Sequence, residues 1–143
     1  MSDTPPTLTG KIIAFFHQSA DLYGSDRILL DLAQGVQHAG GDAVVILPDT
    51  GPLTKELERL GIEFHVLPIL KLHRGRVSAG GMISLLRESM SVMQAYDRAF
   101  ANRRVALVHS NTLAVLGGAL WACRRKIPHL WHVHEIVEHP WIA

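Results

Sequence analysis

The chain has 143 residues, 48% of them hydrophobic, and 14 Lys and Arg against 13 Asp and Glu leave a net charge of +1. That length suits one α/β domain whose core needs neither disulfides nor a metal staple. The near-balance of charge excludes a strong polyanion binder, so no nucleic-acid partner is expected. A single cysteine, Cys123, excludes a disulfide framework and suits a reducing compartment. No apolar run approaches the ~20 residues of a membrane span. The amino terminus also lacks the basic start and apolar core of a signal peptide, which points to a cytoplasmic domain. Nine histidines are the one compositional oddity.

Met1 to Thr9, with Pro5 and Pro6 and few apolar groups, reads as a flexible leader, and the domain as residues 10–143. Lys11 to Phe16 is a nearly continuous apolar run, the pattern of a strand buried on both faces in a parallel sheet. A polar loop, His17 to Gly24, follows it. Ser25 or Asp26 can cap the next helix, where Ile28, Leu29, Leu32, Ala33 and Val36 recur at helical spacing before Gly40-Gly41. Ala43 to Leu47 predicts a second strand. Leu53, Leu57 and Leu60 mark a short helix, and Ile62 to Leu67 a third strand. A basic loop, Lys71 to Gly81, holds Lys71, His73, Arg74 and Arg76; it is a solvated loop or a weak contact for an anionic membrane surface.

A long helix is expected next, its apolar stripe running Met82, Leu85, Leu86, Met90, Met93, Tyr96 and Phe100, with the methionines as core filler. Val105 to Val108 predicts a fourth strand, and Asn111 or Thr112 can cap a helix ending near Arg124. That helix carries Gly117-Gly118, a costly pair that close helix–sheet packing would offset. Cys123 reads as core, and Arg124 to Lys126 as partners of the helix's negative end. A fifth strand spans about His129 to His134. Strands alternating with helices imply right-handed crossovers and a Rossmann-like α/β fold: a parallel sheet of about five strands in the order 3-2-1-4-5, with helices on both faces.

Ligands bind such sheets at the carboxyl ends of the strands, where the strand order reverses. Here His17, Gln18, Ser19 and the Tyr23-Gly24-Ser25 turn leave strand one, His109, Ser110, Asn111 and Thr112 leave strand four, and His134 and Glu135 leave strand five. The Gly-x-Gly-x-x-Gly of a dinucleotide site is missing, since the first loop offers only Gly24. What remains is a helix start able to bind a hydroxyl or an anion, or simply a turn glycine beside a cap. His129, His132, His134 and His139, with Glu135 and Glu138, suggest zinc at first sight. Yet His134 and His139 are five apart rather than the four of a helical His-Glu-x-x-His site. His134 alone, where a buried strand meets solvent, is the stronger functional candidate; the alternative is an imidazole bonded to nearby backbone.

His17 to Arg27 (HQSADLYGSDR), Val108 to Thr112 (VHSNT) and Trp131 to Glu135 (WHVHE) together resemble the amino-terminal, acceptor-side domain of GT-B glycosyltransferases of family 4. The first loop of that family carries a glycine pair and an acidic residue; here Tyr23-Gly24-Ser25-Asp26 stands there, serine replacing the second glycine. Its strand-five motif, a hydrophobic pair followed by His and an acidic residue, is loosely matched by His134 and Glu135. The resemblance implies transfer of a sugar from a nucleotide-sugar donor to an acceptor hydroxyl, with retention and without a metal or other cofactor. It implies His134 as the catalytic contact in the cleft, Gly24 and Ser25 near the donor phosphates, and Asn111 on the acceptor side. His17, Ser110, Thr112 and Glu135 complete the expected substrate-binding set. The family's second domain, with its paired glutamates, has no counterpart in this chain. The expectation is therefore a truncated half-enzyme, inactive alone, completed by a missing carboxyl-terminal domain or partner chain and at most peripheral to a membrane. A different class also fits: a non-catalytic Rossmann-like interaction module.

Overall fold

A computed structural model of the chain describes residues 7–70, 79–112 and 116–133. Among the described residues, five strands and four helices alternate. They are β1 (Ile12–Phe16), α1 (Gly24–His38), β2 (Asp42–Leu47), α2 (Pro52–Arg59), β3 (Glu63–Val66), α3 (Ala79–Ala99), β4 (Val105–Asn111), α4 (Leu116–Arg125) and β5 (His129–His132). All neighbouring strands pair in parallel, in the order β3-β2-β1-β4-β5, as the alternation of strand and helix signals requires. The central strands are apolar because both of their faces are covered. Odd and even positions of β1 feed different cores. Ala14 and Phe16 join Val44 and Ile46 beneath α3 and α4, with Val92, Tyr96, Phe100 and Trp121. Ile13 and Phe15 join Val45 and Leu47 beneath α1 and α2, with Leu29, Ala33, Leu53 and Leu57.

The core under α3 and α4 is aromatic. Phe16 meets Tyr96 edge-on at 4.8 Å between ring centroids, and Phe100 lies 5.1 Å from Trp121. Gly117 and Gly118 let α4 settle onto it. A Cβ at Gly118 would stand 2.7 Å from Ser110 Oγ and 2.9 Å from Phe16 Cγ, and one at Gly117 would stand 2.9 Å from Tyr96 Oη. Contact at that range offsets the helical cost of the two glycines.

Several details differ from the sequence expectations. Helix α1 starts two residues before the position a Ser25 cap implies, with Tyr23 at the cap position, so Ser25 lies inside the first turn and Asp26 is its third residue. Asn111 is the last residue of β4 and does not cap α4, which begins at Leu116. Cys123 is exposed, because Trp121 and Ala122 take the buried side of α4 and turn the next position outward. Arg124 and Arg125 reach across to Asp97 of α3 instead of only facing their own helix end. In α3, Met93 is core as expected, but Met82, Leu86 and Met90 are exposed, and the buried residues Val92, Met93 and Tyr96 all lie in the carboxyl-terminal half of this long helix. The basic loop from Lys71 to Ser78 and the segment from His134 onward lie outside the described residues. Among the described residues, no helix is long and apolar enough to cross a membrane.

Candidate active site

The carboxyl edge of the sheet is set by register. Phe16 of β1 stands opposite Ser110 of β4, and Asn111 opposite His132 of β5. One further residue along β1 brings His17 level with Asn111, at the point where the strand order reverses. Side chains alternate there, so His17 and Asn111 turn toward α1, while Ser110 turns toward α4.

His17 and Asn111 are buried, and so is Asp26 in the first turn of α1. The three form one hydrogen-bonded chain. Asn111 Nδ2 donates to His17 Nδ1 at 3.0 Å and to the Ser25 carbonyl at 3.0 Å. With Nδ1 accepting, the imidazole carries its proton on Nε2 and donates it to Asp26 Oδ1. Ser19 Oγ donates to the same oxygen at 2.6 Å, and the Tyr23 amide donates to Oδ2 at 3.0 Å. Burial raises the Asp26 carboxyl, but the hydrogen bonds from Ser19, His17 and Tyr23 outweigh it and hold the group below its ordinary value. Asp26 is thus an ionised, buried carboxylate that accepts from His17, Ser19 and the Tyr23 amide. It ties β1, the loop after it, α1 and β4 into one unit.

The loop is pinned from its other side as well. Leu53 of α2 donates its amide to the Ala20 carbonyl at 2.8 Å, and a Cβ at Gly51 would stand 2.6 Å from that same oxygen. Only a glycine fits at this crossing of two backbones. The exposed lip of the site is therefore the start of α1. Gly24 is exposed there, with nothing within 4 Å of where its Cβ would be, and the first amides of the helix have no partner within it.

The sequence-expected residues divide into groups. His17, Ser25 and Asn111 come together, with Gly24 beside them. Ser110 stands apart: its hydroxyl bonds His129 Nε2 at 2.8 Å beneath α4, where burial pushes the His129 imidazole down from its ordinary value. Thr112 is buried in a left-handed conformation with φ of 96°; its amide donates to the His132 carbonyl and its own carbonyl accepts from Trp131 Nε1. Its hydroxyl has no partner among the described residues. His134 and Glu135 lie outside the described residues. Asp26, the hub of the network, is read in the sequence as a cap candidate and the first loop's acidic residue, and Ser19 as a loop residue at this edge; neither is among the expected substrate-binding residues. The available signal was an acidic residue three positions into a helix start, one helical turn from a loop that begins with histidine. Among the described residues, no three His, Cys, Asp or Glu side chains converge as a metal site.

A family model for the glycosyl transferase 4-like domain matches residues 24–142. No curated protein matches the chain. Among solved structures, the fold is similar to HepE from Anabaena in complex with UDP and glucose, with TM-score 0.59 and 23% identity over 90% of this chain and 31% of that one. It is similar to MurG from Acinetobacter baumannii, with TM-score 0.62 and 20% identity over 90% and 36%. It is also similar to the carboxyl-terminal domain of a hydrogenase from Pyrococcus furiosus, with TM-score 0.55 and 15% identity over 92% and 98%, so this fold serves more than one chemistry. The chain spans about a third of the length of the HepE and MurG structures. With the family model covering most of its length, and with the parallel sheet in its expected order, the chain belongs to the glycosyl transferase 4-like domain family.

Proposed function

We propose that residues 10–143 form the acceptor-side domain of a retaining glycosyltransferase, which moves a sugar from a nucleotide-sugar to an acceptor hydroxyl. The observation that carries this reading is the buried Asp26–His17–Asn111 chain, which fixes the lip of the sheet's carboxyl edge where β1 and β4 meet. Transfer forms a bond from the acceptor oxygen to the anomeric carbon while the bond to the donor diphosphate breaks. Such a step needs the two reactants held within a narrow range of position and donors aimed at the departing charge. His17 and Asn111 are positioning residues: they hold Ser25 and the first turn of α1 in place. Gly24 and Ser25 offer small surface and helix-start amides to the donor phosphates, since the charge of Asp26 is engaged internally. Thr112 supplies a hydroxyl that has no partner among the described residues. His134, with Glu135, is the group that meets the reacting hydroxyl.

Such an edge is one wall of a cleft, and the opposing wall belongs to a second domain or a partner chain. Alone, the chain binds donor weakly and turns over little. HepE is described in complex with UDP-glucose, which makes that nucleotide-sugar the first donor to try. The test joins this chain to the part of HepE outside the matched third and follows UDP release from UDP- and GDP-sugars. Release that depends on an added acceptor and disappears in His134→Ala supports the reading. A folded, joined protein that neither binds nor cleaves any such donor would replace it with the interaction-module reading.

A further inference from the structure

Parallel strands all begin at one edge, so β1, β4 and β5 also gather the residues that precede them. Lys11 leads into β1, Arg103 and Arg104 into β4, and Arg125 and Lys126 join α4 to β5. These five cations line an open cavity of about 540 Å³ whose walls, among the described residues, hold no carboxylate and no aromatic ring. It lies at the amino edge of the sheet, the opposite edge from His17 and Asn111, and it is independent of the transfer reaction proposed above.

Two of the cations are anchored. Arg103 gives its terminal nitrogens to the two oxygens of Glu63 at 2.7 and 3.1 Å. Arg125 donates to Asp97 at 2.9 Å while its guanidinium lies 5.7 Å from the Trp121 ring centroid. The other three, Lys11, Arg104 and Lys126, are exposed and have no carboxylate partner among the described residues. A chain of net charge +1 therefore concentrates three uncompensated charges, beside two fixed guanidiniums, in one cavity. Attraction to the negative end of α4 accounts for Arg125 and Lys126, but Lys11 and Arg104 belong to other elements. Lys126 also adopts a left-handed φ of 56° just past the helix end, where glycine would close the turn with less strain. The lysine brings a charge to that position instead.

We propose that this cavity binds a phosphate-bearing anion. The Arg104 guanidinium and the ammonium groups of Lys11 and Lys126, which converge beside Arg103 and Arg125 and are not themselves paired to carboxylates among the described residues, match phosphate oxygens. The absence of aromatic walls removes the stacking platform that a single-stranded nucleic acid would use. The phosphate could belong to a soluble diphosphate or to a lipid headgroup, and the two sources are separable.

Inorganic pyrophosphate is titrated into the intact chain while backbone amide NMR signals are followed at constant ionic strength. The expected result is saturation below about 1 mM, with shifts confined to Lys11, Arg104 to Ala106 and Lys126 to Ile127. Lys126→Gly, which relieves the left-handed strain and so keeps the fold, and Arg104→Gln should each weaken binding by about tenfold. Sedimentation with phosphatidylglycerol vesicles that is lost in the same variants and blocked by pyrophosphate assigns a lipid headgroup. Pyrophosphate binding without vesicle binding assigns a soluble anion. Shifts that a matched chloride titration reproduces, variants that bind as tightly as the parent, or binding of a DNA duplex without pyrophosphate binding would each overturn the proposal.

Discussion

Asp26 shows how much one side chain decides at this edge. A buried carboxylate is tolerated only when its lone pairs are satisfied, and here Ser19, His17 and the Tyr23 amide satisfy them. Removing the charge while keeping the shape exposes that dependence. Asp26→Asn is expected to destabilise the chain by about 2 kcal/mol at pH 7, read from urea denaturation. The folded carboxyl titrates below its ordinary value of 3.8, so its contribution is complete above that value and fades as pH falls through the folded value. The difference between parent and variant should therefore narrow toward pH 3; an equal difference at both pH values would show that ionisation is not what holds the loop. Asn111→Ala leaves both the Ser25 carbonyl and His17 Nδ1 without their donor, at a cost of about 2 kcal/mol. Because Asn111 and His17 share one hydrogen-bond chain, the Asn111→Ala and His17→Ala effects should fall short of additive by about 1 kcal/mol in a double-mutant cycle.

At the scale of elements, the strands were legible because burial on both faces leaves continuous apolar runs such as Ile12 to Phe16 and Ala43 to Leu47. The exposed edge of the site was less so. Tyr23 carries no sequence mark of a helix cap, and Asp26 finds its partner nine residues upstream, a pairing only the tertiary register creates. Helix α3 shows the same limit from another side: its methionines share one periodicity, yet Met93 is buried and Met90 is 64% exposed. Periodicity reports a helical face but not how far the neighbouring layer extends along it. Met93→Ala should accordingly cost about 2–5 kcal/mol, and Met90→Ala within about 0.5 kcal/mol of nothing, both from thermal unfolding. Similar losses at the two positions would contradict the described packing. Gly118→Ala drives a methyl against Ser110 Oγ and Phe16, and a loss of about 1–3 kcal/mol is expected in the same measurement.

For the whole molecule, the parallel order β3-β2-β1-β4-β5 gives the sheet two chemically different edges. The carboxyl edge gathers hydrogen-bonding neutral groups around one internal carboxylate, and the amino edge gathers cations. The first was foreseeable from strand ends in the sequence. The second was not, because Lys11, Arg103, Arg104, Arg125 and Lys126 are scattered over three turns and sum to nothing unusual in a chain of net charge +1. The chain spans about a third of the length of the HepE and MurG structures. The most direct test of the account measures UDP release from UDP-glucose by this chain joined to the part of HepE outside the matched third, with Asn111→Ala and His134→Ala alongside. The account predicts acceptor-dependent release, lost in His134→Ala and reduced about tenfold or more in Asn111→Ala, where the lip of the site is loosened by ångström-scale amounts. A folded joined protein without donor binding or release, or with release unchanged in both variants, would contradict it.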